Sequence, residues 1–296
     1  MVRRIGWKGL FVVTVTPFYE DGRFDEAATR SLVDALISEG ANGLVLAGST
    51  GEWFSMTDAE KVNLFGVAAD QNKGRAVLLA GISAIATPSA VFLATEAQRL
   101  GYDGALVLPP PYILPTEREL LAFFEAIDEV GLPLMLYNNP PRTAVNLDAK
   151  WLRKLMAFKS VVALKESVKD IGQIADTLKQ VGGELAVFSG IETYAIPSLQ
   201  RGGAGVVAMA PNVLGRKAIE FYEAAASGDW TRAIELQPLI DELYAMMYGA
   251  GVNPYVVQKE AMRMLGRPGG WPRPPLMSMN ESERSALRAV LARIAN

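Results

Sequence analysis

The chain has 296 residues, half of them hydrophobic, with 29 basic and 32 acidic side chains and neither cysteine nor histidine. The near balance of charge gives no strong field for nucleic acid or an anionic membrane surface. Disulfides, thiolate–metal sites, Ser–His triads, imidazole shuttles and His-ligated metals are all excluded, so proton transfer falls to Tyr, Lys, Asp, Glu, water or the substrate.

At the N-terminus, Met1-Val2-Arg3-Arg4 ahead of Gly9-Leu10-Phe11-Val12-Val13 faintly resembles a signal peptide. The apolar run is short, however, and Thr16-Pro17 ends it without a small-residue cleavage site. It reads as a buried first strand. No apolar stretch reaches the roughly 20 residues that span a bilayer, and a cytoplasmic protein is expected.

Seven further runs of strand character follow Leu10–Thr16, namely Gly43–Ala47, Ala76–Gly81, Gly104–Leu108, Pro133–Tyr137, Val161–Lys165, Leu185–Ser189 and Gly205–Ala208. Between them lie amphipathic segments of helical length, such as Glu26–Ser38, Asp58–Ala69, Pro88–Leu100 and Arg118–Val130. Thr57 or Asp58 is a candidate N-cap and Gly101 a C-terminal stop. Such alternation marks parallel βα units. Eight of them predict a closed (β/α)8 TIM barrel over residues 1–228. An open doubly wound sheet is the alternative, weakened by the lack of G-x-G-x-x-G after the first strand. From Asp229 the strand signal stops. Thr231–Tyr248, Val256–Leu265 and Glu281–Ile294 read as helices, separated by Gly249-Ala250-Gly251 and by the Pro/Gly-rich stretch Arg267 to Pro275. They predict a helical extension over residues 229–296 that packs on the barrel.

Chemistry in a parallel barrel sits at the C-terminal ends of the strands, and the sixth run ends in Lys165. An ordinary lysine is neutral only about once in 2,500 molecules at pH 7, whereas burial that lowers its pKa makes it a Schiff-base nucleophile. The plain alternative is a lysine reaching into water or pairing with Glu166. Gly48-Ser49-Thr50-Gly51-Glu52 follows the second strand, Pro109-Pro110-Pro111-Tyr112 the fourth, and Tyr137-Asn138-Asn139-Pro140-Pro141-Arg142 closes the fifth. Glycines around Ser49 and Thr50 let hydroxyls and backbone N–H groups approach an anion, although a self-capped turn would look the same. Tyr137 is either core packing or a phenol that exchanges protons. Arg142 offers a planar fork for a carboxylate, or is a solvated loop residue.

Gly48-Ser49-Thr50-Gly51-Glu52, the Tyr137-Asn138-Asn139-Pro140 turn and Leu164-Lys165-Glu166 resemble the motifs of the dihydrodipicolinate synthase/N-acetylneuraminate lyase family. The likeness runs from Thr16-Pro17 through Gly202–Gly205 to Asn253-Pro254. It implies a TIM barrel, a pyruvate imine on Lys165 and reversible aldol or dehydration chemistry, with no cofactor and no metal. It further implies that Tyr137 donates and accepts the protons, that Thr50 holds the keto acid's carboxylate, and that Gly190 and Val207 line the pyruvate pocket. Ser49 would relay between Tyr137 and Tyr112, the latter commonly entering a neighbouring subunit's site in a homo-oligomer, a dimer or a dimer-of-dimers tetramer. Arg142 would bind the carboxylate of an aldehyde substrate.

Three departures bear on the substrate. Ser49 stands where the synthases usually carry threonine, Ala144 replaces a frequent glycine, and Ile191-Glu192 replaces a pair of acidic residues, although Glu192 can still meet a substrate hydroxyl. The expected reaction is that of a dihydrodipicolinate synthase, with aspartate semialdehyde as the aldehyde and a place in lysine biosynthesis. A lyase, aldolase or dehydratase of a 2-keto-3-deoxy sugar acid or sialic-acid-like substrate is the alternative. A phosphate-binding barrel using Ser189-Gly190 and Gly202–Gly205, or a barrel that binds without catalysis, are readings of a different class.

Overall fold

Successive residues of a strand face opposite sides of a sheet, and here that sorting builds two cores. The computed structural model describes residues 5–249 and 251–294, so Met1–Arg4 and Ala250 of the glycine separator lie outside the described residues. The strands are β1 (Gly9–Val13), β2 (Gly43–Leu46), β3 (Val77–Gly81), β4 (Gly104–Val107), β5 (Leu134–Asn138), β6 (Val161–Glu166), β7 (Ala186–Ser189) and β8 (Gly205–Ala208). Each pairs in parallel with its neighbours, and β8 pairs with β1, closing a TIM barrel.

Inward-facing Phe11, Val13, Val45, Leu79, Leu106, Met135, Ala163, Phe188 and Val207 form the inner core together with Trp7. Their outward neighbours, Leu10, Val12, Leu44, Leu46, Ala105, Leu136, Leu164 and Val206 among them, pack under the surrounding helices. Glycines make room for the aromatic floor: a Cβ on Gly104 would lie 2.4 Å from the Trp7 ring, and one on Gly43 2.9 Å from that of Phe11. Phe11 and Phe188 stack at 5.0 Å between centroids. Burying each such ring contributes about 2 kcal/mol or more. The N-terminal end of the barrel is therefore plugged, which leaves the C-terminal end for a site.

The helices between strands begin where polar caps precede apolar periodicity. Asp25 caps Glu26–Glu39, Thr57 forms a capping box with Glu60 for Asp58–Asn72, and Thr116 does so with Glu119 for Glu117–Asp128. Each cap contributes about 1 kcal/mol. Gly101, at φ 78°, follows the helix Thr87–Arg99. The first strand is shorter than its apolar run. Beyond Val13 the chain leaves the ladder so that the Thr16 hydroxyl can donate to the Gly51 carbonyl at 2.7 Å, bracing the loop after β2.

A helical extension follows the barrel: Trp230–Gly249, Pro254–Met264 and Glu281–Ile294, the first continuous through an internal Pro238. Leu243, Met247, Leu287 and Leu291 join the outer core. Among the described residues, no helix is long and apolar enough to cross a membrane.

Candidate active site

Register places Lys165 on β6 directly beside Tyr137 on β5 and Phe188 on β7. All three face the barrel interior. The Lys165 ammonium lies 4.3 Å from the centroid of the Tyr137 ring, and the side chain is only 6% exposed. Burial lowers its pKa from 10.5 to about 8, against the opposing pull of the Glu192 carboxylate. At pH 7 roughly one such amine in ten is neutral, a gain of more than a hundredfold over an exposed lysine.

Glu166 is not the partner of Lys165. As the next residue along the strand it faces outward, where its carboxylate accepts from the Asn138 side-chain amide at 3.0 Å and from the Val168 N–H at 2.8 Å. The Leu147 N–H donates to Asn138 Oδ1 at 2.9 Å. This buried network ties the ends of β5 and β6, and so fixes the two strand ends that carry Tyr137 and Lys165. Burial pushes the Glu166 carboxyl up to about 7.

At Gly190 the backbone passes close to the Lys165 side chain. A Cβ there would lie 2.0 Å from Ser167 Oγ and 2.9 Å from Lys165 Cε. Its N–H donates to the Glu166 carbonyl at 2.7 Å. Val207 is an interior residue of β8, 1% exposed and paired with Phe11. Burial also raises the Tyr137 pKa above that of an ordinary phenol; the Asn139 amide, the Ser167 hydroxyl, the Arg142 guanidinium and the Ser49 hydroxyl oppose it. Asn139 Nδ2 donates to the Tyr137 hydroxyl at 2.9 Å.

The loop after β2 enters the site through two non-glycine residues with positive φ, Ala47 at 51° and Glu52 at 57°. Between them, Thr50 is buried and Ser49 half-buried. Glu52 anchors the loop from below. Its carboxylate, wholly buried, pairs with the equally buried Lys259 of the helix Pro254–Met264 and accepts from the Arg273 N–H at 3.0 Å. Lys259 also donates to the Trp271 carbonyl at 2.8 Å and sits 4.5 Å from the Phe18 ring centroid. Burial lowers its pKa to about 8, against Glu52. The extension thus holds the loop that carries Ser49 and Thr50.

Arg142 lies on the short helical turn Pro140–Thr143, exposed, with its guanidinium facing the phenols of Tyr137 and Tyr255. Tyr112 stands apart from the rest. It is 87% exposed, at φ 76°, on the proline-stiffened stretch between β4 and the next helix. Within one chain the phenol that faces Ser49 beside Tyr137 is that of Tyr255.

Tyr255, Ser167, Tyr244 and Tyr248 carry too little local signal to be found in sequence; Glu192 is legible there as a contact for a substrate hydroxyl, but its buried partners are not. Tyr255 belongs to the extension and reaches the barrel only through packing. Ser167 faces Tyr137 from just past β6. Glu192 is 2% exposed, and its Oε1 accepts from the Ala210 N–H at 2.8 Å and from the Tyr222 hydroxyl, while Oε2 has no partner. Burial raises its pKa. Tyr244 and Tyr248, with ring centroids 4.4 Å apart, stand near enough to Tyr137 and Glu192 to feel their charge. Among the described residues, no cluster of three or more Asp or Glu side chains is arranged to hold a metal ion.

A model of the dihydrodipicolinate synthetase family matches residues 6–294. A DapA-like lyase of Rhizobium meliloti, itself described as uncharacterized, is 40% identical over 294 residues, covering 99% of this chain and 98% of the relative. The crystal structure of dihydrodipicolinate synthase from Aquifex aeolicus superposes with a TM-score of 0.91 at 32% identity, covering 97% of this chain and 98% of that one. YagE, a prophage protein of the dihydrodipicolinic acid synthase family from E. coli K12, solved in complex with pyruvate, gives a TM-score of 0.92 at 26% identity over 97% of this chain and 98% of that one.

Proposed function

The chain belongs to the dihydrodipicolinate synthetase family, and from that premise we propose a pyruvate-dependent Schiff-base lyase whose acceptor is an aldehyde bearing a carboxylate, aspartate semialdehyde first among them. One observation carries this reading: a buried amine with a pKa of about 8, in register with a buried phenol, on the open end of the barrel. Lys165 Nζ attacks the ketone carbon of pyruvate, and the carbinolamine loses its oxygen as water. The resulting iminium acidifies the methyl group. Removal of one methyl proton gives an enamine, whose carbon then bonds to the aldehyde carbon.

Tyr137 moves these protons, a role that burial suits by keeping the phenol protonated until a partner takes the proton. Thr50 and the loop N–H groups hold the pyruvate carboxylate. Gly190 gives the ketone access to Lys165, and Val207 limits the pocket from β8, two strands away around the barrel. Ser49 opens a path for protons outward from Tyr137. Arg142, beside the phenols rather than the amine, is placed for the second substrate's carboxylate. Tyr112 projects where a second copy of the chain would meet it, in keeping with a homo-oligomer.

A hydroxylated acceptor, as in a 2-keto-3-deoxy sugar acid, is the second reading, favoured by the buried Glu192, whose Oε2 has no hydrogen-bond partner and whose carboxylate is near enough to Lys165 to act on its charge. The phosphate reading has less support. Ser189 Oγ already donates to the Ile191 carbonyl at 2.9 Å, and Gly205 is a glycine because a Cβ would lie 2.0 Å from the Gly9 carbonyl oxygen across the barrel closure. The test is borohydride reduction with pyruvate, followed by turnover on aspartate semialdehyde beside cleavage of 2-keto-3-deoxy acids. A reduced adduct on the Lys165 peptide and turnover of the semialdehyde are expected. An adduct elsewhere, or none, would remove the mechanism; preference for the sugar acid would move the substrate to the second reading.

A further inference from the structure

The segment between β5 and the helix Ala149–Leu155 carries Arg142 on a turn that an L-residue resists. The short helical turn Pro140–Thr143 ends at Ala144, whose N–H donates to the Pro140 carbonyl at 2.8 Å and whose φ is 53°. Glycine adopts such left-handed backbone freely, whereas alanine holds it only where its surroundings enforce it. Three side-chain amides do so here. Asn138, wholly buried at the end of β5, accepts from the Leu147 N–H at 2.9 Å and donates from Nδ2 to Asn146 Oδ1 at 2.9 Å. Asn146 in turn meets Gln173, in the first turn of the helix Ile171–Val181 that follows β6. The two form a reciprocal pair: Asn146 Nδ2 donates to Gln173 Oε1 at 2.9 Å, and Gln173 Nε2 donates to Asn146 Oδ1 at 2.8 Å. The chain is thus tied just beyond Ala144 to the end of β5 on one side and to the next helix on the other. Asn146 is exposed and Gln173 half-buried. An amide pair within reach of water adds little to net stability, because water can replace either partner. Its effect is on where the turn sits.

We propose that Asn146 and Gln173 are positioning residues for the acceptor aldehyde: their pair holds the strained Ala144 turn against the helix after β6, and so fixes the backbone from which Arg142 reaches the acceptor's carboxylate. The inference rests on the reading of Arg142 as the acceptor's partner. Neither amide touches a substrate; both act through Arg142. The pyruvate half of the site is anchored separately. Asn138 Nδ2 also meets both oxygens of the Glu166 carboxylate at 3.0 Å, and that contact between β5 and β6 does not need the outer pair.

The test separates the two substrates. Gln173→Leu keeps the size of the side chain and removes the amide. It should raise KM for aspartate semialdehyde about tenfold, with KM for pyruvate and the fraction trapped by borohydride within about twofold of the parent. In an Arg142→Ala background the same substitution should add less than about twofold, since the group it positions is gone. Ala144→Gly relieves the left-handed strain and should recover most of the loss in Gln173→Leu. An unchanged acceptor KM in Gln173→Leu beside a raised one in Arg142→Ala would overturn the clamp. So would a full further loss in the Arg142→Ala background, equal damage to the pyruvate step, or no recovery with Ala144→Gly. An Arg142→Ala protein with an unchanged acceptor KM, or a parent that does not turn over the semialdehyde, would instead overturn the acceptor reading itself, and the clamp with it.

Discussion

Replacing Lys165 by methionine should make the protein more stable while abolishing the imine. Methionine has nearly the length of the lysine stem and no charge to desolvate. In the folded chain burial lowers the Lys165 pKa from 10.5 to about 8. At about 1.4 kcal/mol for each pH unit, holding that ammonium buried costs the folded state about 3 kcal/mol. The cost is present in full below about pH 8, where both folded and unfolded chains carry the proton. Between about pH 8 and 10.5 the folded chain has released its proton and the unfolded chain has not, so parent stability rises with pH through that window. Lys165→Met should thus gain about 3 kcal/mol at pH 7, a Tm rise on the order of 5 °C, and the gain should shrink toward zero as pH approaches 10.5. Urea unfolding of both proteins at several pH values measures it. A variant no more stable than the parent at pH 7, or a gain that does not fall with rising pH, would refute the claim that the amine is held against its desolvation.

The same displaced amine sets the pH dependence of chemistry: the rate of pyruvate imine formation should rise about tenfold per pH unit below about pH 8 and level off above it, as stopped-flow trapping would show; a continued climb toward pH 10 would mean an unshifted lysine. Arg142→Ala should weaken the carboxylate-bearing acceptor by about 2 kcal/mol, roughly thirtyfold in its KM, while leaving the pyruvate adduct intact; equal damage to both steps would remove Arg142 from the acceptor site. Glu52→Gln and Lys259→Met should each destabilise the fold by about 3 kcal/mol, because each strands the other's buried charge, whereas the double substitution should cost far less than their sum. Additive losses in urea unfolding would show that the two groups do not depend on one another.

The barrel was legible because its signal is local and repeated. Eight apolar runs at the right spacing require only that each strand bury both faces, and β2 through β8 begin and end within two residues of those runs. The helices start where Asp25, Thr57 and Thr116 stand, since a cap is a property of four consecutive residues. Strand parity also settles what a list of neighbours leaves open. Lys165 and Glu166 are adjacent in sequence and on opposite faces of β6, so their pairing was never geometrically available. What could not be read is what depends on the meeting of distant segments. Nothing in Asn253-Pro254-Tyr255 says that its phenol will face Ser49; that follows from the burial of Lys259 against Glu52, more than 200 residues earlier in the chain. Nor does a lone Glu192 announce that Ala210 and Tyr222 will satisfy one of its oxygens and leave the other bare. These contacts bear on how the extension is understood. A boundary near residue 229 follows the end of the strand signal, but Tyr255 and Lys259 lie beyond it, and Ser49 and Glu52 lie before it. The loop that would hold a carboxylate is thus gripped from the C-terminal side, and loosening the extension would disturb the site before it disturbed the barrel.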